Sequence, residues 1–268
     1  MKTLKTLLTT LLIMMPSISF AESPCTVQSV KFESWDSHAQ QIAKVINALK
    51  SEPLISAITG RYEICFADPS VKMLEIKNED IRGGFDGTFS LDTSSLDTSI
   101  PIDVIGLKLK RSDDLLLGNK PFLSIPTVAN VVIALKDLEL SNVINGIDIS
   151  GFGTVTIVSS TVGASIVSGD SAKSGACVSI KSSAAKLDGV KVDSCATGIL
   201  VGAPNVKITN SEISDNGTGV KIASGILGTE LLTDKIFDNV EGIVFADGQP
   251  NELVFFDGDE QSFAPAEA

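Results

Sequence analysis

The chain has 268 residues, 33 of them acidic against 21 basic, giving a formal charge of −12 with 43% hydrophobic content. An acidic surface of this kind repels nucleic acid and anionic lipid at long range, so neither is an expected partner. The apolar run near the N-terminus is short for a spanning helix and no other stretch approaches ~18 uncharged apolar residues, so no membrane-spanning helix is expected, and a single histidine without any Cys-x-x-Cys argues against a zinc site.

At the N-terminus Lys2 and Lys5 precede a short apolar run over 7–15, and Ser19-Phe20-Ala21 places small residues where a signal peptidase reads them. Residues 1–21 therefore read as a signal peptide, and the protein as exported, periplasmic or secreted. Cys25 lies four residues beyond Ala21, so a lipid anchor is not expected. In an oxidising compartment the four cysteines pair, with three connectivities open. Sequence neighbourhood favours Cys25 with Cys65 and Cys177 with Cys195.

Residues 22–59 read as an N-terminal cap. Ser37-x-x-Gln40 is a capping box, Ala39, Ile42, Val45, Ile46 and Leu49 form one apolar stripe, and Pro53 stops the helix. His38 opens this helix with no visible partner, and Trp35 adjoins it as a packing residue.

Three arginines follow, Arg61, Arg82 and Arg111, the first two 21 residues apart, one coil length, a spacing that would stack them on one face. Between Arg82 and Arg111 stand two copies of Ser-Leu-Asp-Thr-Ser, at Ser90 to Ser94 and Ser95 to Ser99, which read as a repeated polar loop. No cofactor is expected. Calcium is the one cation that Asp92 and Asp97 would suit, although they lack the alternating acids and glycine of a calcium loop. Arg111 opens an apparent insertion over 110–130 that also carries Asp113, Asp114 and Lys120.

From residue 131 the chain repeats. Gly146-Ile147-Asp148-Ile149, Cys177-Val178-Ser179-Ile180, Gly198-Ile199-Leu200-Val201, Gly219-Val220-Lys221-Ile222 and Gly242-Ile243-Val244-Phe245 share one pattern, the last four starting 21, 21 and 23 residues apart. Six residues before the first position sit Leu140, Val192, Ile213 and Ile236, and eleven before it Leu135, Leu187, Ile208 and Leu231. Each period thus offers three apolar points to an interior, on runs too short for helices, which is a solenoid of triangular cross-section. Asn216 and Asn239, three residues before the glycine, read as corner residues in the left-handed region that bond the turns above and below. Gly84 and Gly106 extend the pattern upstream as glycine-slot residues. Wider gaps imply insertions near 110–130, where two short coils also fit, and near 159–176. About nine coils would fill 60–258, a rod of roughly 40 Å at ~4.8 Å per coil. The acidic segment 259–268 closes the chain.

The pattern resembles the right-handed parallel β-helix superfamily, the pectate-lyase-like fold. The expected fold is all-β, a right-handed parallel β-helix solenoid over 60–258 with a short N-terminal capping helix. The resemblance implies catalysis on uronate polysaccharides by arginine, lysine or histidine bases, often with calcium, or by paired carboxylates. This chain departs from those sites: Asn210-Ser211-Glu212 keeps only the first residue of an Asn-Thr-Asp triplet, and Asp68-Pro69 is followed by Ser70 rather than histidine. The expected function is therefore an exported, non-catalytic binding or scaffold protein whose partner is a polysaccharide or an envelope component. The alternative is a minimal lyase or epimerase acting on uronate polymers through Arg82 or Arg111 with Asp113 and Asp114. Any site is expected on the face bearing Arg82 and the 110–130 segment.

Overall fold

The computed structural model describes residues 25–27, 30–66, 73–112, 120–163, 175–182, 184–246 and the backbone of 255–257. Residues 1–21, read above as a signal peptide, and the acidic segment at 259–268 lie outside the described residues. Within them the chain is a parallel β-helix: three sheets, A, B and C, each gain one strand per coil in the repeating order A, B, C. Sheets B and C each have seven strands, so the described residues form seven complete coils. Sheet A has nine, because Leu54–Ile55 adds an antiparallel edge strand before the first coil and Phe255–Asp257 opens an eighth.

Coil 1 is built from strands Tyr62–Cys65, Leu74–Ile76 and Phe89–Ser90, and coil 2 from Ile102–Ile105, Lys108–Arg111 and Leu123–Thr127. Val132–Lys136, Glu139–Ser141 and Ile147–Gly151 make coil 3; Thr154–Val158, Thr161–Gly163 and Ala176–Ile180 make coil 4. Coils 5 to 7 start at Lys186–Asp188, Lys207–Thr209 and Glu230–Leu232, and end on sheet C at Thr197–Val201, Thr218–Ile222 and Glu241–Phe245. Seven steps of ~4.8 Å give a rod of about 34 Å, shorter than nine coils would make.

The three apolar points are the core. On sheet A, Leu135, Ile157, Leu187, Ile208 and Leu231 stand opposite one another on successive strands. On sheet B the column is Leu109, Leu140, Val162, Val192, Ile213 and Ile236, and on sheet C it is Leu123, Ile147, Val178, Ile199, Val220 and Ile243. All are buried. Because alternate strand residues face opposite sides, a one-residue slip would expose a whole column, and burial therefore locks the register.

Upstream the register differs from the sequence reading. Opposite Gly146 in coil 2 stands Phe122, and opposite Phe122 in coil 1 stands Thr88, so neither Gly84 nor Gly106 fills the glycine slot. Gly106 instead turns the corner between sheets A and B. That corner needs one left-handed residue per coil, and Gly106, Asp137, Ser159, Gly189, Asn210 and Thr233 all supply φ between 49° and 73°. The 40-residue gap from Gly106 to Gly146 spans parts of two coils rather than an insertion in one. The second gap is regular through Gly163, so any departure there begins after residue 163.

At the corner between sheets B and C the left-handed residues include Asn142, Ser194, Asp215 and Asp238, the last two one position before the expected asparagines. Asn216 and Asn239 make the ladder with their side chains. Asn216 Oδ1 accepts from the Cys195 N–H at 2.9 Å, and Asn239 Oδ1 accepts from the Asn216 N–H and Nδ2 at 2.9 Å. The Asn216 amide also donates to the Ser214 carbonyl at 2.8 Å, which leaves this buried corner satisfied. Higher up the same corner is closed by the Cys177–Cys195 disulfide, with Cα atoms 5.9 Å apart.

The N-terminal end is covered by helix α1 (His38–Lys50), whose Ser37–Gln40 capping box forms on both sides. Ile42, Val45 and Leu49 are buried and close the end of the first coil, protecting its unpaired strand edges. Leu91 and Leu96 of the two Ser-Leu-Asp-Thr-Ser copies are buried, and the Asp92 N–H donates to the Leu49 carbonyl, so this loop is an apolar anchor with a polar rim. Trp35 does not pack: it lies in the turn before the N-cap and is 78% exposed. Cys25–Cys65, with Cα atoms 6.0 Å apart, ties the segment ahead of the helix to coil 1. There Glu63 and Asp103 are buried side by side on the outer face of sheet A. Burial alone would raise the Glu63 pKa, but hydrogen bonds from Thr59 and Thr26 hold it below the usual glutamate value. Asp103 is held by Arg61 at 2.7 Å and Lys136 at 2.8 Å.

Candidate functional site

The inward residues of sheet C are fixed by packing, and the residues between them form three outward columns. The central column runs Ser124, Asp148, Ser179, Leu200, Lys221 and Val244, one residue per coil. Asn145, Ala176 and Thr197 belong to the column on its sheet B side, and Lys181 lies just past the end of its strand on the sheet A side. Four residues of the central column, Asp148, Ser179, Leu200 and Lys221, together with those flanking residues, Pro121 and Gly175, line a groove of about 380 Å³ that lies along the solenoid axis over coils 3 to 6. Its size sits at the low end of the ~300–1,000 Å³ typical of small-molecule clefts. A side chain on Gly175, which has φ 134°, would collide with the Asn145 side chain, so glycine keeps this wall open.

The groove is electrically uneven. Lys181 Nζ sits 2.7 Å from Asp148 Oδ1 and neutralises it. Lys221 is exposed and makes no ion pair among the described residues. Between these ends Leu200 offers a partly exposed apolar surface, and the Ser179 and Thr197 hydroxyls flank it. Asp148 is the one carboxylate among the lining residues.

The arginines lie elsewhere and do not converge. Arg61 is committed to Asp103 on sheet A. Arg82 is exposed at the end of helix α2 (Asn78–Arg82), between sheets B and C of coil 1, so it does not stack on Arg61. Arg111 lies two residues after Leu109, on the same face of its strand, and points inward, 1% exposed. Its guanidinium stacks over the Phe122 ring at 4.6 Å, and Nη2 reaches the Lys120 and Gly87 carbonyls at 3.3 and 3.5 Å, while Nε and Nη1 have no hydrogen-bond partner among the described residues. Burial lowers its pKa to about 10. A polymer lying on the outer wall cannot reach it. Asp113 and Asp114 lie outside the described residues. The 110–130 segment nevertheless borders the groove, through Pro121.

His38 has partners that the sequence did not reveal: Nδ1 lies 3.0 Å from Asp80 Oδ1 and Nε2 lies 2.8 Å from the Glu75 carbonyl, pinning α1 to α2 and coil 1. Asp92 and Asp97 accept hydrogen bonds from Ser94 and Ser99 within their own turns, which lowers both pKa values. Among the described residues no group of three or more His, Cys, Asp or Glu side chains is placed to hold a metal ion. Sequence reasoning missed the groove because it followed only the inward residues of each repeat. The signal was present in the same tetrapeptides, whose third residues, Asp148, Ser179, Leu200 and Lys221, form the floor.

Comparison with protein-family models, curated proteins and solved structures gave no match. The class of the protein is therefore the one its own geometry defines, a disulfide-bonded parallel β-helix with a groove along one wall.

Proposed function

We propose that this is an exported, non-catalytic binding protein of the pectate-lyase-like β-helix type that holds a carbohydrate chain along the outer face of sheet C. The groove over coils 3 to 6 carries the reading: it is long, shallow, open to solvent and lined by hydroxyl, amide and apolar groups. Acid–base cleavage of a glycosidic bond uses two carboxylates in different protonation states, and the groove offers Asp148 alone, already bound to Lys181. The signal-peptide pattern at 1–21 and two disulfides both suit an oxidising compartment.

The test is a glycan array with the mature protein, together with polysaccharide retention and product analysis. Retention of oligosaccharides without conversion, lost in Ser179→Trp while the melting temperature holds, is the expected result. Release of unsaturated uronate or reducing ends would identify an enzyme instead, and retention unchanged by Ser179→Trp would remove the groove from consideration.

A further inference from the structure

Resting on that reading of the sheet C wall, we infer that the groove selects a glycan bearing an isolated acidic substituent, with its anionic group at Lys221 and its uncharged, hydroxylated part across Leu200, Ser179 and Thr197. The central column sets the scale. From Asp148 to Lys221 are three ladder steps, or about 14 Å at ~4.8 Å each, the length of a short extended oligosaccharide. One end carries a neutralised pair, Asp148 with Lys181 at 2.7 Å. The other carries Lys221, a cation exposed on a chain of formal charge −12 and free of any ion pair among the described residues.

That asymmetry discriminates between kinds of glycan. A sugar ring has an apolar face of C–H groups and a polar rim of hydroxyls, which match Leu200 and the hydroxyls of Ser179 and Thr197. Neither hydroxyl makes a side-chain hydrogen bond among the described residues, so both are available to a ligand. A carboxylate, phosphate or sulfate at one point on the chain finds a counter-charge at Lys221. A polymer with an acid on every unit would set further charges against Asp148, whose partner Lys181 is already engaged, and against the negative field of the whole protein.

Binding is measured by calorimetry on the mature protein with matched probes: a neutral tetrasaccharide, the same tetrasaccharide bearing one carboxylate, one phosphate or one sulfate, and tetragalacturonate. The singly charged forms should bind about fivefold tighter than the neutral parent, as one exposed charge pair allows, and the advantage should fade with added salt. Lys221→Gln should abolish that advantage, so that neutral and singly charged forms bind the variant alike. The three acidic forms separate the sources of the charge, since a preference for one identifies the substituent. Equal binding of neutral and charged forms, or an advantage surviving Lys221→Gln, overturns the anion assignment while carbohydrate binding stands. Tightest binding to tetragalacturonate overturns the isolated-charge claim. Binding of none of the probes, and of nothing on the array, refutes the parent reading and this one with it.

Discussion

Replacing Asp234 with asparagine should stabilise the protein near neutral pH and leave it unchanged in acid. Asp234 occupies the position held by Ser160 and Ser211 in earlier coils, where a side-chain oxygen accepts a backbone N–H from the preceding coil. Its Oδ1 accepts from the Ser211 N–H at 2.8 Å, but Oδ2 is buried with no partner among the described residues, and the residue is 3% exposed. Burial pushes the pKa from 3.8 up to about 6, against the opposing pull of the backbone hydrogen bonds and with a small addition from Asp188. A rise of about 2 units means the charged form costs the fold up to about 3 kcal/mol. The cost is absent below the unfolded pKa of 3.8, grows as pH rises, and is complete above about 6. Asparagine keeps the acceptor for Ser211 and carries no charge at any pH. Urea unfolding of wild type and Asp234→Asn should show a difference of about 2–3 kcal/mol in favour of the variant at about pH 7.5, and close to none at about pH 4. Glu63, Asp92, Asp97 and Asp188, whose pKa values are lowered, gain stability as pH rises, but they are common to both proteins and cancel in the difference. An equal difference at both pH values, or a less stable variant near neutrality, would refute the argument that Asp234 is a desolvated, half-satisfied carboxylate.

Asn216→Ala should cost about 2–4 kcal/mol, because it orphans the Cys195 N–H and removes the donor to the Ser214 carbonyl and to Asn239 inside a buried corner; a loss under about 1 kcal/mol in chemical denaturation would show that water replaces the ladder. Cys25→Ser with Cys65→Ser opens a 40-residue loop and should cost about 3–4 kcal/mol in the chain-entropy model, read as an earlier unfolding midpoint with coils 3 to 7 still cooperative. Intact mass of protein purified from the periplasm or medium should start near Glu22 and show four hydrogens fewer than the reduced chain, and free thiols at Cys25 and Cys65 would contradict the staple.

The primary structure alone determined the interior. Burial imposes the same demand on every coil, so Leu135, Leu140 and Ile147 and their counterparts return at one period, and that periodic trace is enough to specify three apolar columns and a triangular solenoid. The α1 cap was legible for the same kind of reason, since a capping box and an apolar stripe are local. Only the tertiary structure decided the rest. A corner needs a left-handed residue, but glycine, aspartate, asparagine, serine and threonine all supply it here, and at two different corners; Gly106 and Gly146 therefore look alike in sequence and stand at different places in the coil. Arg111 looked like part of an exposed charged cluster, yet strand alternation turns it inward with Leu109, a choice that depends on register and not on the chemistry of the side chain. The groove was hidden for the opposite reason to the core. Nothing in packing requires outward residues to repeat, so Asp148, Ser179, Leu200 and Lys221 share no type, and what unites them is parallel pairing, which stacks residues some 20 to 30 positions apart into a single column.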